Sequence, residues 1–293
     1  MRRLALAAGL LVLLGAAALA LVGERLSAAA PGMVGPAPPG AQVLRIDAGG
    51  GNTVAGWLTP GRPGAGAVLL LHGLRADRRQ MQGRAQALQR QGYATLLIDL
   101  PAHGESSGPR IGFGLHEAAA VRASLRHLRH TLAGEKVAVI GVSLGAAAYV
   151  LAGAEPAADA VVLESMYADI DDALLSRLRL HAGAVGVAAA PLLRAQLPLW
   201  LGVSADQLRP VDRLASLRAP LLIVAGSADR HTTPAASRRL HAAAAAPKDL
   251  WWVDGAGHVD LHAFDPAAYE ARVFAFLARH LRGAAAGWAS IGP

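Results

Sequence analysis

Six short runs of this chain are apolar at nearly every position rather than at alternate ones: Ala67–Leu71, Thr95–Ile98, Val137–Ile140, Val161–Leu163, Leu221–Ala225 and Leu250–Val253. A strand with one face in water alternates, so runs without alternation need cover on both sides. Between several of them lie longer amphipathic segments, Arg78–Arg90, Glu117–His130, Ala146–Ala154 and Ala267–Leu281. Strands of this kind, interleaved with helices, predict a mostly parallel central sheet flanked by helices. Ahead of them, Val43–Asp47 and Thr53–Thr59 read as a hairpin closed through Gly49-Gly50-Gly51. Ligands of such sheets bind beyond the carboxyl ends of the strands. The polar residues with chemical potential fall at those ends.

Composition narrows the function classes. With 53% hydrophobic and 17% charged residues, the body of the chain has enough apolar content to fold. There is no cysteine, which removes disulfides, thiolate metal sites and a thiol nucleophile. The net charge is +7, but the arginines are scattered and aromatic residues make up 4%, so no nucleic-acid partner is expected.

The ends differ from the middle. Met1-Arg2-Arg3 precedes an uninterrupted apolar run from Leu4 to Val22, whose helical length of about 28 Å suits a bilayer core. Residues 1–25 are therefore expected to be a signal anchor or signal peptide. The paired arginines would stay cytoplasmic and the remainder would be exported, held at the membrane or secreted after cleavage. A buried helix of the folded body is the other reading. Residues 26–41 read as a Pro/Gly/Ala linker, 42–282 as the folded domain, and 283–293 as a flexible tail. Within the domain, 169–213 interrupts the alternation with helical patterning. It is expected to be a small cap inserted over the active edge, with Leu199-Trp200-Leu201 facing a pocket; the other reading is surface helices away from substrate.

Gly141-Val142-Ser143-Leu144-Gly145 matches G-x-S-x-G between a strand and a helix. A sharp strand-to-helix turn would lift the Ser143 hydroxyl above the sheet, and Gly141 and Gly145 leave room for chains that approach closely. A hydroxyl needs a base. His258, after the last strand in Gly255-Ala256-Gly257-His258, is placed for that role, and Asp229, just past Leu221–Ala225, is placed to orient it. Glu164 is a reserve acid. Leu144 and Leu74 are the expected oxyanion donors through their backbone N–H groups, with His72 and Gly73 shaping the loop.

With Leu71-His72-Gly73, the Asp99–Ser106 segment, the Ser143 elbow, Gly226-Ser227-Ala228-Asp229 and Gly255–His258 in this order, the chain resembles the α/β-hydrolase superfamily over about residues 42–282. The resemblance is to its serine-hydrolase branch of aminopeptidase, monoglyceride-lipase and acyl-hydrolase relatives. It implies an α/β-hydrolase fold, a Ser-His-Asp triad, a covalent acyl-enzyme and no cofactor. By the same resemblance, Asp99 and His103 belong to a loop that brace the site. The expected substrate is a small-molecule ester, with an amide or peptide second. Two other functions are weighed. His258-Val259-Asp260-Leu261-His262 alternates groups that can ligate a metal, which would make a metal-dependent hydrolase. A hydrolase-like module that binds without catalysis is the other; such modules typically lack a triad member, and none is missing here.

Overall fold

The computed structural model describes residues 2–153 and 156–282; the expected tail, 283–293, lies outside them. After α1 (Arg2–Ser27) come β1 (Gln42–Gly49), β2 (Asn52–Thr59), β3 (Ala67–Leu71), α2 (Gln82–Arg90), β4 (Ala94–Ile98), α3 (Ala118–Thr131), β5 (Val137–Val142), α4 (Leu144–Leu151) and β6 (Ala160–Glu164). These are followed by α5 (Ile170–Arg194), α6 (Leu197–Leu201), β7 (Leu221–Gly226), α7 (Pro234–Ala243), β8 (Lys248–Val253), α8 (Leu261–Phe264) and α9 (Pro266–Leu281). The eight strands form one sheet in the order β8-β7-β6-β5-β3-β4-β2-β1. The β1–β2 and β2–β4 pairs are antiparallel, and the others run parallel.

The continuous apolar runs are explained by how each strand divides its side chains. Leu69 and Leu71 of β3, Val137 and Val139 of β5, and Leu221 and Ile223 of β7 point into one core with α3, α4 and α7. Val68 and Leu70, Ala138 and Ile140, and Leu222 and Val224 point into a second core with α2 and α9. Period two along the strand thus alternates between two dry layers. Removing one face's helices would expose half of every strand.

Two local departures have local causes. The helix expected over 78–90 is split, because Asp77 accepts the Arg79 N–H and a 3₁₀ turn, Arg78–Met81, precedes α2. Between β6 and β7 the chain is helical. Asp169 caps α5 by accepting the Asp172 N–H at 2.8 Å, and Gly183, at φ 54° and ψ −139°, breaks α5 into two segments.

The membrane anchor is corrected. Among the described residues, no helix is long and apolar enough to cross a membrane. The extracytoplasmic placement, anchored or secreted, rested on that reading and falls with it. The end of α1 is engaged by the folded body instead. The Leu19 carbonyl accepts from Gln196 Nε2 at 3.3 Å, the Ser27 carbonyl accepts the Ile111 N–H at 2.8 Å, and Ser27 is buried. Beyond it, Ala30–Pro31 pairs in parallel with His103–Gly104. An apolar run without a polar face reads as a bilayer span in sequence. Its contact with Gln196, 177 residues away, carries no local signal.

Candidate active site

Ser143 sits between β5 and α4 with φ 48° and ψ −104°, a region that costs an L-residue free energy and persists only where the surroundings enforce it. The surroundings do so. The Ser143 N–H donates to the Glu164 carbonyl at 2.8 Å, and its own carbonyl accepts the Ala147 N–H at 3.0 Å. The flanking glycines are steric necessities. A Cβ on Gly141 would lie 2.7 Å from Ala146 Cα, and one on Gly145 would lie 2.6 Å from the Leu71 carbonyl oxygen. The turn brings the start of α4 onto the end of β3 and leaves Ser143 facing a pocket.

Asp229 follows β7 and is buried. Its Oδ1 accepts the N–H groups of His231 and Thr232 at 2.8 and 2.9 Å, and its Oδ2 accepts the Thr232 hydroxyl at 2.7 Å. His258 Nδ1 donates to the same Oδ2 at 2.8 Å. Burial pushes the Asp229 carboxyl up. The hydrogen bond and charge of His258, with the two bonds from Thr232, outweigh it and hold the carboxyl below its ordinary value. Thr232 was missed in the sequence; an Asp three residues before a Thr is the local signal for such a turn. Gly226 gives the loops room, since a Cβ there would meet the Ala256 carbonyl oxygen at 2.3 Å. Among the described residues, no hydrogen bond joins the Ser143 hydroxyl to the His258 ring, so the Asp229–His258 half of the arrangement is formed and the other half is open. Catalytic hydrogen bonds are often long before substrate binds.

The loop after β3 is braced from below. Burial, with His103 nearby, pushes the His72 ring down to about 3, so it is neutral. Its Nδ1–H donates to the Gly73 carbonyl at 2.7 Å, and its Nε2 accepts the Leu100 N–H at 2.9 Å. Gly73 N–H donates to Gln80 Oε1 at 2.7 Å. His103 does the same work one layer over, donating to the Pro101 carbonyl at 2.9 Å and accepting the Arg75 N–H at 3.1 Å. Asp99 ties the two loops together by accepting the N–H groups of Arg78 and Glu105, each at 2.8 Å, and by pairing with the Arg78 guanidinium. Leu74 and Leu144 line the same pocket as Ser143, and Leu144, first in α4, has an N–H with no intrahelical acceptor.

The other acids and histidines are engaged elsewhere. Glu164, the reserve acid, is fully buried against Arg84, with Nη2 2.6 Å from Oε2, and also accepts the Tyr269 hydroxyl. Arg84 reaches Asp260 at 2.8 Å, and His262 Nε2 lies 3.2 Å from Glu270 Oε1. His258, Asp260 and His262 therefore point at three different partners and do not converge.

The pocket at Ser143 has an empty volume of about 840 Å³, its open mouth included. Its floor is Ser143, Leu144 and Leu74; Phe113 and Tyr167 close one side. The remaining wall comes from α5 and α6, including Trp200 and Leu201, while Leu199 is turned out to solvent. Gly23, Leu26 and Ser27 of α1 complete it, which the sequence did not foreshadow. Trp200 is fixed by its ring N–H on Gln196 Oε1 at 3.0 Å and by Arg110 stacked at 4.9 Å.

Comparison with known proteins identifies the family and the fold. A family model described as "Alpha/beta hydrolase family" matches residues 68–272. An uncharacterized protein of Mycobacterium tuberculosis is 32% identical over 241 residues, covering 79% of each chain. Among solved structures, a Pyrococcus furiosus esterase superposes with a TM-score of 0.74 at 21% identity, over 87% of this chain and 98% of its own. A thermophilic esterase from Thermogutta terrifontis gives 0.60 at 17% identity, over 82% and 100%. At such identities the likeness is one of fold.

Proposed function

The chain belongs to the α/β-hydrolase family, and on that premise we propose that it is a serine hydrolase that cleaves carboxylic esters through an acyl-enzyme. The observation that carries this reading is the strained backbone of Ser143, held by its neighbours in the lining of an apolar pocket. Strain of that kind is retained where a side chain must be presented at a defined point. The structural likeness to proteins described as esterases favours an ester over an amide.

In this reading Ser143 Oγ attacks the ester carbonyl carbon while His258 Nε2 takes the hydroxyl proton. Asp229 keeps the proton on Nδ1 and faces the imidazolium with a carboxylate. The carbonyl oxygen becomes an oxyanion, received by the N–H groups of Leu74 and Leu144 at the start of α4. Collapse expels the alcohol, which takes the proton from His258. Water then attacks the acyl-enzyme, with the same ring as base, and frees the acid and Ser143. His72, Gly73, Asp99 and His103 act as supports for the donor loop, and Gly141 and Gly145 permit the elbow.

Hydrolysis of p-nitrophenyl butyrate tests the reading. The wild type should turn it over, and Ser143→Ala should lose about 10⁴-fold or more in kcat/KM. Full activity in Ser143→Ala would refute the assignment, and loss of wild-type activity on dialysis against chelator would point to the metal-dependent alternative.

A further inference from the structure

Arg177 is a half-buried cation in the wall of the Ser143 pocket. Among the described residues, its guanidinium has neither an ion pair nor a hydrogen bond, unlike Arg194 in the same wall, which holds Asp171 at 2.9 Å. Burial works against its charge, and Asp229 is the acid whose charge acts in its favour. That carboxylate is already occupied by His258, Thr232 and two backbone N–H groups. A guanidinium stays protonated at any working pH and presents a planar fork of N–H donors. The guanidinium is reached by water, which a ligand's carboxylate would displace for a charge-assisted bond.

The helix that carries Arg177 gives a direction. Ile170, Leu174 and Arg177 lie at i, i+4 and i+7 on α5, so they share one face, and all three line the pocket. That face runs from apolar to cationic over about 10 Å of helix rise. An alkyl chain lying along it would rest on aliphatic side chains and end at the guanidinium.

We propose that Arg177 receives a carboxylate at the far end of the substrate's acyl chain, so that the site selects half-esters of dicarboxylic acids. The assignment rests on the serine-hydrolase reading of this pocket. A monoanion fits better than a dianion, because among the described residues of the wall Arg177 is the cation without an ion pair, Arg194 being held by Asp171.

The test compares monomethyl esters of the four- to eight-carbon dicarboxylic acids with methyl esters of the monocarboxylic acids of equal length. For at least one length, wild-type kcat/KM should favour the half-ester by about tenfold or more. Arg177→Gln should collapse that ratio toward one, mainly through KM, and Arg177→Lys should restore part of it. Calorimetry on Ser143→Ala needs no turnover. Monomethyl adipate should bind at least tenfold tighter than methyl hexanoate, and Ser143→Ala/Arg177→Gln should lose the difference. A wild-type ratio near one at every length, a ratio unchanged in Arg177→Gln, or no preference in calorimetry would overturn the proposal. Hexyl phosphate binding as tightly as the half-ester would overturn the monoanion assignment. Absence of ester turnover together with an Arg177-dependent preference in calorimetry would overturn the serine reading and leave this one standing.

Discussion

The sheet's carboxyl rim and the wall above it are built in different ways. At the rim, Asp229, His72 and Asp99 are buried; Asp229 and Asp99 are held by hydrogen bonds to backbone and side chain, and His72 by two to backbone. In the wall, α5 is broken at Gly183 and tied to its surroundings largely through partly exposed charges, such as Arg239 with Asp172 at 2.5 Å and Arg194 with Asp206 at 3.4 Å. Buried, multiply bonded groups fix positions to fractions of an ångström; exposed ion pairs contribute little and let a wall adapt. On the proposed function, chemistry belongs to the rim and selectivity to the wall.

The largest effect should follow a change that keeps the rim's shape and removes one charge. Asp229→Asn retains the bulk but not the carboxylate, and it should lower kcat on p-nitrophenyl butyrate by about 10⁴-fold, with KM little moved. A loss under tenfold would break the assignment of chemistry to the rim. Next comes the buried ion pair beneath it. Arg84→Met strands Glu164, and chemical denaturation should report about 3–5 kcal/mol of lost stability. In the wall, Trp200→Ala should raise KM for octanoate esters by about tenfold, since two CH₂ groups left uncovered cost about 1.6 kcal/mol. For acetate esters KM should change much less; equal effects on both would deny the wall its selectivity role.

The smallest effect concerns pH and again separates the two regions. Asp229 is held below its ordinary value, so the stability it contributes is present above about pH 4 and drains as pH falls further. Glu117, which holds the Phe113 loop through the Gly112 and Gly114 N–H groups, is pushed up by burial to about 7. A raised carboxyl keeps its proton in the fold after the unfolded chain has released it. Its contribution is therefore largest in acid and is lost as pH rises from about 4.5 to 7. Glu117→Gln should flatten the melting temperature across that interval relative to wild type. A slope unchanged by the substitution would contradict this account of the loop.

How much of this was legible follows the same division. The strands could be read because two dry faces leave a continuous apolar run. Ser143, Asp229 and His258 could be singled out as candidates because each stands just past a strand and their chain order is informative. The roles of Glu164 and Asp260 could not, because both are decided by Arg84, 80 and 176 residues away along the chain. The fate of α1 was misread for the same reason. Its apolar run read as a lipid span in sequence, and only tertiary contact with Gln196 and the Ile111 loop places its end in the pocket wall. Arg177 looked like one more scattered cation until its lack of a partner became visible.

The most direct measurement of the central claim is peptide mapping after reaction with a fluorophosphonate. The account predicts a single adduct on Ser143, absent from Ser143→Ala and formed at least 100-fold more slowly in His258→Ala. An adduct on another residue, or equal labelling rates with and without the imidazole, would contradict it.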